Sequence, residues 1–214
     1  MAHRPEPTFT RIDLVAYRIT SYDVPLWVNP NRRSGRWHLP GEIPTQYLCL
    51  DAEAPFAEVL RHEDLRTEEA ASHYFSTVWQ MRIISEAIVD YRSLALADAA
   101  GFDAAALVSD DHERCQAEAS WLMGRGARGV LAPCAALPGS VDLTLFGPRV
   151  AVPWDAAIEL ASSVPAQKLT TGHPPNGLTA RVRYFGQSHT QLDAYAAEVR
   201  RVDTQIQLEQ GLRA

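Results

Sequence analysis

A chain of 214 residues, 46% of them hydrophobic and 21% charged, has enough apolar material for one well-formed core and would be crowded by a second independent domain. Its near-average composition excludes disordered, collagen-like and coiled-coil architectures. The formal net charge of −6 argues against a broad footprint for nucleic acid, while Asn31-Arg32-Arg33-Ser34-Gly35-Arg36 leaves room for a local basic pocket that takes a small anion.

The first expected element is a strand over Ile12 to Ile19, β-prone and loosely alternating, with Arg18 near its end. An irregular segment from Ser21 to Pro44 follows, broken by prolines and glycines, and a loop of that length inside a compact domain is more often functional than idle. Tyr47 to Leu50 reads as a short buried strand. Asp51 reads as the N-cap of a helix running to about Arg66. Val78 to Ile84 and Ala87 to Tyr91 read as two strands joined around Ser85-Glu86, and a short helix after Ser93 ends at Gly101. From Asp110 the pattern turns helical, with Cys115, Ala119, Leu122 and Met123 on one face and Gly124-Arg125-Gly126 closing it.

Strands are then expected over Val130 to Ala132, Val141 to Phe146 and Arg149 to Val152. Val164 to Leu178 reads as an exposed loop, Ala180 to Phe185 as a late strand, and Gln187 to Leu212 as an amphipathic terminal helix. Strand and helix do not alternate regularly, so the expected class is α+β in a single domain, with mixed or antiparallel sheets flanked by helices. Neither a secretory leader nor an apolar run of bilayer length is present, and Cys49, Cys115 and Cys134 make no C-x-x-C pair. The expectation is a soluble, cytoplasmic protein with no metal, no membrane partner and no direct nucleic-acid partner; a homo-oligomer stays open.

Four residues attract chemistry. Arg18 closes an apolar strand, where an unpartnered charge is costly to bury. Arg36 lies in the loop Ser34-Gly35-Arg36-Trp37, Tyr47 opens the strand after that loop, and Glu58 sits in a helix between Ala57 and Val59. Guanidinium groups grip phosphate oxygens with forked hydrogen bonds, a ring offers a stacking face, and a carboxylate can hold a sugar hydroxyl and stabilise positive charge on the sugar. From the residues alone the plain alternatives stay open: a surface strand end, an ordinary core tyrosine and a solvated helix charge.

Tyr17-Arg18-Ile19, Gly35-Arg36-Trp37-His38-Leu39-Pro40, Gln46-Tyr47-Leu48 and Ala57-Glu58-Val59-Leu60, in that order, resemble the first half of a RES domain. Cys115-Gln116-Ala117, Trp121 and Gly129-Val130-Leu131-Ala132-Pro133 resemble its second half. The resemblance covers residues 10–155 and leaves 156–214 as a C-terminal extension, expected to pack on the same domain. It implies a toxin of a RES–Xre toxin–antitoxin pair, with an ADP-ribosyltransferase-like fold and NAD⁺ as substrate in a cleft. Arg18 and Arg36 would then hold the pyrophosphate, Tyr47 would sit by the nicotinamide ribose, Glu58 would be the catalytic carboxylate, and an Xre-like antitoxin would be the protein partner. Trp37 beside Arg36 is assigned to the cleft, and Trp27 could join it or pin the loop.

One departure stands out. The family is named for an Arg, a Glu and a Ser, and the Ser usually follows the proline after the late Val-Leu strand, where this chain has Cys134. A thiol fills the space but donates hydrogen bonds poorly; Ser140 could substitute if the loop folds back. The resemblance implies cleavage of the nicotinamide–ribose bond by hydrolysis or phosphorolysis. The rival readings are a protein ADP-ribosyltransferase and a catalytically silent NAD- or protein-binding module. Gly124-Arg125-Gly126 is read as a helix-ending turn rather than a phosphate loop, and Cys115 as a buried apolar residue rather than a nucleophile.

Overall fold

In the computed structural model of the chain, residues 4–20, 25–26, 33–40, 45–146 and 166–211 are described. Strands β1 (Phe9–Ile19), β2 (Gln46–Cys49), β3 (Ser76–Asp90), β4 (Gly129–Pro133), β5 (Val141–Leu145) and β6 (Ala166–Gly172) form one sheet in the order β1-β2-β5-β4-β3-β6. A further pairing between β1 and β3 brings the sheet round on itself. Only β3 and β4 run parallel; every other pairing is antiparallel. Helices α1 (Ala54–His62), α2 (Glu68–Ala71), α3 (Leu94–Ala99), α4 (Glu113–Met123) and α5 (Thr190–Gly211) flank it, with a 3₁₀ turn over Ala104–Leu107. The class is α+β, as the irregular element order predicts.

The core follows the pleat. Ile12 and Ala16 of β1, Met81 and Ile83 of β3, and Leu143 and Leu145 of β5 fill the inside of the sheet, while Asp13, Val15, Arg82 and Ile84 face outward. A second cluster packs Phe56, Ala57 and Leu60 of α1 against Cys134, Leu137, Leu178, Val182 and Tyr184. A third gathers α3 and α4 around Trp37, Tyr91, Leu107 and Phe146. Among the described residues no helix is long and apolar enough to cross a membrane.

Several expectations need correction. Ser85-Glu86 does not join two strands: β3 runs through as one, with Ala87 at φ 56° and a register shift against β1 between Thr10 and Ile12. The lost alternation there marks a bulge. Helix α1 is not capped by Asp51, whose backbone carbonyl, not its side chain, accepts from Ala54 N–H; Glu53 stands at the N-cap and Pro55 opens the first turn. The helix stops at His62, before the expected Arg66, because Asp64 turns left-handed (φ 54°) and Leu65 N–H reaches back to Leu60 O at 2.9 Å.

Within the expected 164–178 loop, β6 pairs with the outer end of β3, its Thr and Lys residues giving no apolar signal. Residues 180–185 form no strand: Val182 and Tyr184 are buried by packing against α1, and Arg183 N–H donates to Ala136 O at 2.8 Å. The helix after Ser93, the Gly101 stop at φ 74° and the helix-ending Gly124–Gly126 turn are as read, and the Ser93 side chain caps its helix by accepting from Leu96 N–H. Helix α5 docks through Leu192 and Tyr195, whose hydroxyl donates to Asp98, but Val199 and Val202 further along are 39% and 43% exposed. Trp27 and the strand expected over Arg149 to Val152 lie outside the described residues.

Candidate active site

A cavity of about 340 Å³ opens between the inner ends of β1, β2 and β5, helix α1 and the loop before β2. That volume is at the lower end of ordinary small-molecule sites. Arg18, Arg36, Trp37, Tyr47 and Glu58 all line it. Residues far apart in sequence therefore meet at one cavity. Cys134 and Ser140 do not line it.

The loop residues are fixed by a two-residue turn. Gly35 and His38 form an isolated antiparallel bridge, with Gly35 N–H donating to His38 O at 3.0 Å, and Arg36-Trp37 occupies the tip. Trp37 is 2% exposed and packs its ring against Phe146, so it anchors the turn in the core while touching the cavity wall. Arg36 lines the cavity and donates from Nη1 to Ser109 O (2.7 Å) and Ala106 O (3.3 Å). Gln116 Nε2 donates to Gly35 O at 2.9 Å and ties the turn to α4.

Tyr47 is held at its hydroxyl, which accepts from Trp37 N–H (2.9 Å) and lies 2.9 Å from His38 Nδ1. His38 Nε2 stands 3.0 Å from Arg33 O, an acceptor only, so a neutral ring carries its proton on Nε2 and accepts the Tyr47 proton at Nδ1. Gly35 has no substitute here: a Cβ would sit 2.7 Å from the Tyr47 hydroxyl and 2.8 Å from His38 Cε1.

Helix α1 supplies Glu58, Arg61 and His62 to the cavity from successive turns of one face. The Glu58 side chain is 30% exposed, and His62 Nε2 lies 3.5 Å from its Oε2. Burial pushes the Glu58 carboxyl up, but hydrogen bonding and charge at His62, then the Arg61 and Arg36 guanidiniums, outweigh it and hold the group below the usual carboxylate range. Glu58 is a carboxylate at neutral pH.

Arg61 was not singled out by the sequence, although it stands one turn beyond Glu58. It is buried, donates to Asp110 Oδ1 at 2.6 Å and lies 4.3 Å from the centre of the Phe185 ring. Its Nε has no hydrogen-bond partner. Asp110 also receives Arg183 Nη1 (2.8 Å) and Gly186 N–H (2.7 Å), so one carboxylate fixes both Arg61 and the turn that carries Phe185. Phe185 lines the cavity from the C-terminal extension, and nothing in its local sequence marks it. His112, at the start of α4, also lines it; burial, then Arg36 and Arg61, push its imidazole down to about 4, so it is neutral at physiological pH.

The floor holds a second carboxyl. Asp142 lies on β5 opposite Cys49 of β2 and Ala132 of β4. One oxygen each of Asp142 and Glu58 and the Cys134 sulfur lie within 4.8 Å of one another. Cys134 is buried just behind Glu58, Sγ to Oε1 3.5 Å. The turn after β4 does fold back, but through backbone: Cys134 N–H donates to Ser140 O at 2.9 Å, while Ser140 Oγ is buried without a partner, off the cavity. Two carboxyl oxygens and one thiol suit neither the oxygen-rich shells of magnesium and calcium nor the nitrogen and sulfur shells of structural zinc, so the trio reads as an acid pair. Asp142 could have been found by the rule that singled out Arg18, since it is a charged group inside an apolar strand.

The cavity therefore sets Arg18, Arg33, Arg36 and Arg61 around one ionised glutamate. Such a wall suits a ligand with phosphate at one end and an electron-poor centre at the other. No curated protein matches the chain. Among solved structures, the crystal structure of the M. tuberculosis MbcT–MbcA toxin–antitoxin complex is similar, with a TM-score of 0.54 at 22% identity over 82% of this chain and 91% of that one. Residues 11–167 match the family described as RES domain, and the chain belongs to that family.

Proposed function

We propose that the chain is an NAD⁺-consuming toxin that cleaves the nicotinamide–ribose bond and is neutralised by a cognate antitoxin. The observation that carries this reading is Glu58, ionised at the floor of a cavity walled by arginines. Arg18 and Arg36, with Arg33 and Arg61 beside them, grip the pyrophosphate. Tyr47, its hydroxyl fixed by Trp37 N–H and His38, presents a ring to the nicotinamide end. Glu58 accepts the 2′-hydroxyl hydrogen and stabilises the positive charge that grows on the ribose as the C1′–N bond breaks. Nicotinamide leaves neutral with the bond's electron pair. Water or inorganic phosphate then adds to C1′ and gives up its proton. The fold is read as ADP-ribosyltransferase-like in this scheme.

The partner proposal rests on the similar structure, which is of a toxin–antitoxin complex. An Xre-like antitoxin that covers the cavity mouth would block the substrate's path. A silent binding module is the poorer reading, because a carboxylate kept ionised against burial is what a developing cation requires.

Purified protein incubated with NAD⁺ should release nicotinamide, and Glu58→Ala should be nearly silent while keeping its fold. Equal rates remove Glu58 from the mechanism. NAD⁺ labelled on the adenosine side separates the acceptors: label in ADP-ribose or its 1″-phosphate supports hydrolysis or phosphorolysis, and label on a macromolecule supports protein ADP-ribosylation.

A further inference from the structure

We propose that Asp142 is the protonated partner of Glu58, a second carboxyl that donates a hydrogen bond to the sugar end of the substrate while Glu58 accepts one. This rests on the NAD⁺ reading above and adds a residue to it.

The argument is geometric first. Asp142 lines the same cavity as Glu58, and the nearest oxygens of the two lie within 4.8 Å, a span that one ligand hydroxyl can bridge with a hydrogen bond to each side. Asp142 Oδ1 is shielded from solvent and has no hydrogen-bond partner. A polar atom shielded from water and left without a partner calls for an explanation, and a role in the site is one. Two carboxylates this close cannot both ionise cheaply, so one keeps a proton.

The surroundings decide which. Facing the pair are Cys49 from β2, Cys134 from the turn after β4, Arg18 from β1, Arg36 from the loop, and Arg61 and His62 from α1, with His112 at the start of α4. The cations Arg61 and Arg36, with His62, serve Glu58 first. Asp142 is left with buried thiols, which burial holds in the protonated form. Burial, then the charge on Glu58, push Asp142 up to about 7, against weaker opposition from Cys49, Cys134 and Arg36. Below that pH the pair is one donor and one acceptor. Above it, both are anions facing a substrate that brings its own phosphates.

The sign for stability follows. A carboxyl whose folded value is raised binds its proton more tightly in the folded than in the unfolded chain, so its contribution is present at low pH and lost as pH rises through about 7. Asp142→Asn, which cannot ionise, should have a Tm that matches wild type near pH 4 and gains on it by pH 8. In turnover, wild-type kcat/KM for NAD⁺ should fall as pH rises through 7. Asn, a donor at every pH, should lose that fall, whereas Asp142→Ala should raise KM about tenfold both below and above pH 7.

A Tm difference between Asp142→Asn and wild type that stays flat from pH 4 to 8 overturns the proposal even with turnover intact. So does an Asp142→Asn profile that falls as wild type does. Failure of the wild type to release nicotinamide overturns the NAD⁺ reading instead, and the two failures are distinct.

Discussion

Two acids in this molecule, the buried Glu118 and the half-buried Glu58, show opposite solutions to the same problem. Glu118 on α4 accepts from Arg4 Nη1 (2.6 Å), Arg4 Nη2 (2.7 Å) and the Tyr91 hydroxyl (2.7 Å), so both its oxygens are saturated by protein. Arg4 also lies over the Trp121 ring at 4.0 Å, closing the node with apolar cover. Glu58 receives only long contacts, 3.5 Å from the Cys134 thiol and 3.5 Å from His62, and opens on a cavity. A satisfied charge is a rivet and an unsatisfied one is a tool. On the proposed function, the Glu118 node is structural and the Glu58 node is chemical.

Substitutions should keep these roles apart. The largest effect is expected from Glu58→Gln, which keeps shape and removes charge: NAD⁺ turnover should fall about 10³-fold, with an unchanged Tm at pH 7 within a degree or two. A large Tm loss would make Glu58 structural and erase the contrast. Glu118→Met should do the reverse, lowering stability by about 2 to 3 kcal/mol while folded molecules keep their turnover. This figure lies below that for fully buried pairs because Arg4 reaches solvent and can be rehydrated. Chemical denaturation read beside activity checks both.

Gly35→Ala sharpens the role of the loop. Its Cβ must displace the Tyr47 hydroxyl or His38, so KM for NAD⁺ should rise about tenfold and kcat should change less. Phe185→Ala is expected to be the mildest. Loss of a ring at the cavity rim should raise KM about fivefold, with no change in the pH profile. If Phe185→Ala abolished turnover, the residues beyond the matched region would be part of the chemistry rather than its border.

The site was legible where chemistry breaks a pattern. Arg18 ends an apolar strand, Glu58 lies between apolar neighbours, and Arg36 follows a glycine in a long loop; each is a local anomaly, and all three line one cavity. Asp142 also broke the pattern of its own strand, but it lies far from Glu58 in sequence and only the β5 pairing brings it to the same cavity. Arg61 looked like any helix charge until Asp110 and Phe185 closed on it. Ser140 could stand in for the missing serine only if its loop folded back; the loop does, but it returns the carbonyl instead of the hydroxyl.

The fold divides in the same way. Elements with their own periodicity or caps, such as β1, α3 and α4, can be read from the chain. Strand β6 cannot, since its order comes from pairing with β3 and not from an apolar stripe of its own. The 180–185 segment misled for the opposite reason: its apolar residues are buried by α1, without any ladder.

The most direct test is a crystal structure of Glu58→Gln, slow enough to hold its substrate, with NAD⁺ bound. The account predicts pyrophosphate oxygens against Arg18 and Arg36, and the nicotinamide ribose within hydrogen-bonding distance of both residue 58 and Asp142. Density for the dinucleotide elsewhere on the molecule, or with its adenine end at residue 58, would contradict it.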